Sequence, residues 1–132
     1  MFGNWSQHIF IDSSEPDNNY KLTYNIINTK ANTRTFNDGF HIEHHKSGGR
    51  HWSLLPESFM ASCHEYEKND AIVFCGVDFM TIGVWVFLGK YSKISQHLVQ
   101  FPNNVRSPDE VETFLRSRLR PVQRRSMQKI QD

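Results

Sequence analysis

Composition withholds most of the usual clues. Only two cysteines occur, Cys63 and Cys75, twelve positions apart. That is neither a metal-type spacing nor a disulfide framework, so they read as reduced, buried thiols of a cytosol-facing chain. Charge of one sign is missing too. Fifteen basic and fourteen acidic residues leave a formal net charge of +1, which gives no global field to recruit nucleic acid or an acidic partner. No apolar leader follows Met1, because the polar segment Asn4–His8 comes almost at once, and no signal peptide is expected. Long hydrophobic runs are limited to 71–89, interrupted by Asp78 and Thr81. As a helix this run would be about 28 Å long, the low edge of a bilayer span. A mid-run carboxylate costs about 2.5–3.5 kcal/mol there, so a buried or interfacial helix is the expectation. Finally, the helical motif His-Glu-x-x-His is absent, which weakens a soluble zinc hydrolase even though Glu43 sits among histidines.

What is present is aromatic and histidine-rich. Aromatics make up 13% of the 132 residues, ten of them Phe, and three of seven histidines fall within five positions. Such aromatic content suits a surface facing lipid or a larger apolar partner. The pattern predicts a mainly α chain with a long irregular loop over 12–38, rich in Asn, Asp, Ser and Thr that bond their own backbone. A short strand is expected within it at Tyr24–Thr29. A loop of that length is expected to pack on something. Ser53 is the expected N-cap of a helix with Pro56 and Glu57 in its first turn, and Leu55, Phe59 and Tyr66 recur at roughly helical spacing. Ser107-Pro108-Asp109-Glu110 spells a capping box that opens a helix with an apolar stripe of Val111, Phe114, Leu115 and Leu119, ended by Pro121. A basic tail follows, with Arg116, Arg118, Arg120, Arg124, Arg125 and Lys129 and no acid between them. It reads as a solvated terminus or as an attraction to an anionic membrane face.

Chemistry concentrates in His41-Ile42-Glu43-His44-His45. On a helix, positions i, i+3 and i+4 share a face, so His41, His44 and His45 present imidazoles to one point or to two adjacent points. Imidazole suits iron, zinc and copper alike. Asp38 and Glu43 are candidates to accept the second N–H of a bound imidazole; His51 is a second-layer candidate rather than a ligand. Gly39 is placed to permit the turn into the histidine helix. His64 and His97, with no companion at ligand spacing, are expected at the surface, and Trp5 and Trp52 in packing.

Asn4-Trp5-Ser6-Gln7-His8, followed thirty-three positions later by His41-x-x-His44-His45, resembles the last two metal-binding motifs of membrane fatty acid desaturases. The wording Asn37-Asp38-Gly39-Phe40-His41-Ile42-Glu43-His44-His45, then His51-Trp52, is similar to a branch of that family in microbial eukaryotes. So is Gly3–His8 running into Phe10-Ile11-Asp12, and the likeness continues through Gly76–Tyr91 into the Arg-rich end. The resemblance implies the C-terminal, cytosolic-cap portion of a membrane di-iron enzyme. His8, His41, His44 and His45 would be iron ligands, and Asn4 would bind through water. It implies an oxygen-dependent oxidoreductase of lipid metabolism that introduces a C=C bond into a fatty acyl substrate, as acyl-CoA or acyl-lipid. A cytochrome b5-type electron donor and a site at the cytosolic face of the endoplasmic reticulum membrane are implied with it. Seven residues precede His8, so the family's first two histidine boxes are outside this chain, and the chain alone is expected to be inactive. A related acyl or sterol hydroxylase fragment, or a non-catalytic metal- or membrane-binding protein, are the alternatives.

Overall fold

The computed structural model describes residues 6–119 other than Ser13, Pro16 and Thr35. Asn4, Trp5, Pro121 and the basic positions from Arg120 onward therefore lie outside the described residues. The elements in chain order are β1 (Asn25–Ile27), α1 (Ala31–Arg34), α2 (His41–Lys46), α3 (Leu55–Ala61), α4 (Cys63–Lys68), β2 (Val73–Cys75), α5 (Phe79–Phe87), α6 (Tyr91–Ser95) and α7 (Pro108–Ser117), with 3-10 turns at Asn19–Lys21 and Trp52–Leu54. The chain is mainly helical, as its patterning predicts.

β1 and β2 pair in parallel, with Asn25 opposite Val73, Ile26 opposite Phe74 and Ile27 opposite Cys75. Side chains alternate between the two faces of a strand, and here both faces are apolar. Ile26, Ile72 and Phe74 point into one cluster, with Phe10, Tyr24, Val77, Ile82 of α5, Ile94 of α6, and Val111 and Leu115 of α7. Ala71 and Val73 point into a second, with Phe40, Ile42 of α2, Leu55 and Phe59 of α3, and Tyr66 of α4. The strand pair is thus a thin middle layer with α2–α4 on one side and α5–α7 on the other. Burying one such aliphatic or aromatic side chain contributes about 1.5–3 kcal/mol, so both layers depend on the strands between them.

The run 71–89 departs from the expected single helix. Val73–Cys75 is a strand, and α5 begins only at Phe79. Gly76 adopts φ 73°, a conformation open to glycine at little cost, and it turns the chain out of the strand. Asp78 then caps α5 by accepting from the Thr81 amide at 2.7 Å. The acid that interrupts the hydrophobic run is the start of the helix, and this explains its place. Among the described residues no helix is long and apolar enough to cross a membrane.

Other expectations shift by a turn. α3 starts at Leu55 with Pro56 beside its first position, and Ser53 instead sits in the preceding 3-10 turn, where its amide donates to the His51 ring. The capping box at Ser107 and Glu110 forms with both bonds, yet α7 ends at Ser117, before Pro121. Val111 and Leu115 are buried, while Phe114 and Leu119 are half-buried. The stretch 12–38 is less irregular than its composition suggests. It contains β1, α1 and a 3-10 turn, and it packs on the rest of the chain through buried Tyr24 and Ile26. Cys63 and Cys75 are free and half-buried rather than buried.

Candidate metal centre

α2 is six residues long and has no side-chain cap at its N-terminus. Such a short helix is marginal on its own, and its orientation is fixed from outside. The Ile42 amide donates to Asn25 Oδ1 at 2.8 Å, and Asn25 Nδ2 donates to the Tyr66 hydroxyl at 2.9 Å. Tyr66 in turn donates to Glu43 Oε1 at 2.8 Å, Ser58 donates to Glu43 Oε2 at 2.7 Å, and Lys46 reaches Glu43 Oε1 at 3.1 Å. Glu43 is 1% exposed. Burial, foremost, and the Glu43 carboxylate push the Tyr66 hydroxyl well above its ordinary pKa, so Tyr66 remains a donor. Glu43 therefore serves α2 from behind, and its partners contain no imidazole.

The entry into α2 is equally constrained. The Gly39 amide donates to Asn32 Oδ1 at 2.9 Å, and its carbonyl accepts from the Ile26 amide at 2.7 Å. A Cβ on Gly39 would lie 2.5 Å from the Ile26 carbonyl oxygen and press on the Asn32 side chain. Close approach to β1, rather than a left-handed φ, is what requires glycine here.

With α2 so held, His41 and His45 face the N-terminal segment and meet His8. The three rings form a compact triangle, with centroids 5.1 Å apart for His8–His41, 5.3 Å for His8–His45 and 4.8 Å for His41–His45. One donor nitrogen from each lies within 4.8 Å of the others. Nε2 of His8 and Nε2 of His41 are 3.4 Å apart. Two nitrogens bound to one ion at about 2.0–2.1 Å with a tetrahedral angle sit about 3.4 Å apart, so this pair already has ligand spacing. Exposed His45, with a ring nitrogen within 4.8 Å of the other two, is the third member of the imidazole set.

The outer nitrogens are arranged to match. His8 Nδ1 lies 3.4 Å from the Leu22 carbonyl, which can only accept, and this leaves the Nε2 lone pair facing His41. Nδ1 of His41 is buried and makes no hydrogen bond of good geometry. Asp38 Oδ1 stands 3.5 Å from it, at ion-pair distance. The contact is electrostatic, and it would tighten if the proton settled on Nδ1. A carboxylate or carbonyl behind each ring orients metal-bound histidines. The His41 ring, foremost, and the Gln7 amide hold the Asp38 carboxyl below the usual carboxylate range. Partial burial, foremost, lowers the pKa of His8 from 6.5, with the Leu22 carbonyl opposing and His41 adding to it; partial burial and then the charges of His41, His8 and His44 lower that of His45. Neutral imidazole is the ligand form, and these environments favour it. A metal ion fits the His8, His41, His45 set.

His44 stands apart from the triangle, its ring 5.9 Å from His41 and 6.4 Å from His45. It lines a cleft of 370 Å³ with Asp38, Arg50, His51, Trp52 and Leu55. His51 is occupied at Nδ1 by the Ser53 amide and hydroxyl, at 3.2 Å and 2.7 Å, so it caps a turn and sits outside the triangle. Trp52 is 44% exposed, and its ring packs against those of Phe36 and His51, with centroids 5.3 Å and 5.2 Å away. His97 is half-buried, with Nδ1 2.9 Å from the Cys75 carbonyl, and only His64 of the two isolated histidines is at the surface. Sequence patterning did not single out Leu22, Asn25 or Ser58, and it read Tyr66 only as part of a helical apolar stripe. Leu22 acts through its backbone carbonyl and leaves no sequence signal, while Asn25 and Tyr66 show only as polar groups in otherwise apolar stretches. Compared with known protein families, with curated proteins and with solved structures, the chain has no significant match in any of the three.

Proposed function

We propose that this chain supplies part of the metal centre of a membrane fatty acid desaturase of the histidine-box, di-iron type. His8, His41 and His45 would hold one iron, Asn4 would bind through water, and His44, set apart beside Asp38, would serve the second iron once the other histidine boxes are supplied. The observation that carries the reading is the return of His8, thirty-three positions upstream, to ligand distance from His41. The resemblance in sequence required that meeting. When bound, iron would activate dioxygen as the oxidant, so that two hydrogens from a fatty acyl chain, two electrons from a cytochrome b5-type donor and two protons would leave with its two oxygens as two waters. The protein's own share is to orient imidazoles. The Leu22 carbonyl meets the outer nitrogen of His8, Asp38 stands at ion-pair distance from that of His41, and the Glu43 network fixes the helix. The site would lie at the cytosolic face of the endoplasmic reticulum membrane. A related acyl or sterol hydroxylase would use the same residues, and product analysis separates the two.

A second reading has its own support. The 3.4 Å spacing of Nε2 atoms suits a tetrahedral ion held by three imidazoles with one open position, which needs no further polypeptide. The test has two stages. The isolated chain is titrated with Fe(II) and Zn(II) under argon; one ion per chain is expected, lost in H8A, H41A and H45A and kept in H51A. Metal retained in H8A overturns both readings. The open reading frame upstream of Met1 is then read for two further histidine boxes, and the completed protein is assayed for an oxygen-dependent double bond in an acyl substrate. Boxes and product establish the desaturase. Their absence, with metal still bound, leaves the three-imidazole protein.

A further inference from the structure

α5 is apolar nearly all round, with Thr81 its one polar residue. Its inner face packs on the core through Ile82, Phe79, Trp85 and Val86. The opposite side would be polar in a helix that faces water. Here it carries Met80, Val84, Phe87 and Leu88, which are 53%, 44%, 81% and 56% exposed. These positions, i, i+4, i+7 and i+8, fall on one arc of about 100°. Singly exposed apolar residues need no explanation, but a contiguous stripe marks a contact surface.

Charge identifies what the stripe contacts. Between Asp78 and Asp109 the sequence holds no acid. Exposed Lys90 and Lys93 follow the end of α5. The exposed Arg116 guanidinium lies 4.1 Å from the Tyr91 ring centroid, on the neighbouring helix. Among the described residues none of these three cations has an acidic partner in an ion pair. A protein partner or a second copy of the chain would bring no particular demand for unpaired cations beside an apolar stripe. An anionic lipid surface does, because acyl chains take the aromatic and aliphatic side chains while headgroups meet the lysines.

We propose that the outer face of α5, with Lys90 and Lys93 just past its end and Arg116 stacked on Tyr91 of the next helix, docks on an anionic phospholipid surface and lies in its plane without crossing it. The inference goes beyond the metal reading and stands without it, since no residue of the triangle takes part.

The experiment is sedimentation of the full chain with phosphatidylcholine vesicles, with and without a minor fraction of phosphatidylserine, in a metal chelator. Chelation separates the two proposals, because a failed metal site leaves this readout unchanged. Binding to the anionic vesicles is expected, abolished in F87S/L88S and weakened roughly 30-fold in K90Q/K93Q. Both variants change exposed residues, and circular dichroism verifies their fold. Equal binding to neutral vesicles overturns the assignment of the cations. No vesicle binding overturns the proposal outright. If that result comes with a dimer in analytical ultracentrifugation that F87S/L88S dissolves, the face belongs to a second copy.

Discussion

His41 joins two surroundings. Its Nε2 faces His8, and its Nδ1 is buried beside Asp38. This crowding has a consequence in the metal-free chain. His8 and His45 titrate below 6.5 in the folded state, so between 6.5 and those lowered values the unfolded chain binds more protons. Stability is then complete above 6.5 and declines as the pH falls through that window. Thermal melting in chelator should show a lower midpoint at about pH 5 than at about pH 7.5, and H8Q/H45Q should flatten the difference. A wild-type midpoint indifferent to pH would contradict the clustering. Glu43 predicts a larger effect of another kind. Replacing it by alanine strands the Tyr66 and Ser58 hydroxyls and the Lys46 ammonium, which together donate to its carboxylate. Breaking such a buried charged network costs about 3–5 kcal/mol. Urea unfolding of E43A should show a loss of that order, while E43Q keeps acceptor capacity and loses less.

Among the elements, α2 is the one whose place decides the site, and its approach through Gly39 leaves no room for a Cβ. G39A forces a Cβ against the Ile26 carbonyl, where β1 cannot yield without disturbing its pairing to β2. Overpacking of this sort costs about 1–3 kcal/mol. Because α2 moves with its N-terminus, metal affinity should fall along with stability. S107A is the contrasting case. It removes one half of the α7 capping box, costs about 1 kcal/mol, and should leave metal affinity untouched. The same contrast marks what could be read from sequence. A capping box is local, four residues whose chemistry closes on itself, so α7 was legible at its start. The i, i+4 pair of His41 and His45 was legible for the same reason. The run 71–89 was not, because an unbroken apolar stretch has the same composition as strand or helix; Gly76 and Asp78 divide it through backbone conformation and capping. Glu43 was misjudged because its partners, Tyr66 and Ser58, come from distant elements. His8 became a candidate through resemblance to a family pattern, since nothing in its own neighbourhood specifies α2 as its partner.

For the whole molecule, the question is whether a metal would assemble the site or find it assembled. The segment that carries His8 is already tied down on both sides. The Ile11 amide donates to the Arg118 carbonyl at 2.9 Å, Thr23 and Tyr24 donate their hydroxyls to the carbonyls of Gln7 and Ser6, and Phe10 is fully buried between the strand layer and α5–α7. α2 belongs to the opposite layer, beyond the strands. An ion shared by His8 and His41 would therefore link one layer to the other without ordering either. Binding to the native state alone stabilises by mass action, about 2.7 kcal/mol at a hundredfold excess over Kd. Saturating metal should therefore raise the melting midpoint of the chain while its far-ultraviolet circular dichroism stays constant. In H8A the midpoint should no longer respond to metal, although the fold persists. A large gain of helical signal on adding metal would mean that the ion folds the chain, and the preassembled triangle of imidazoles would have to be given up.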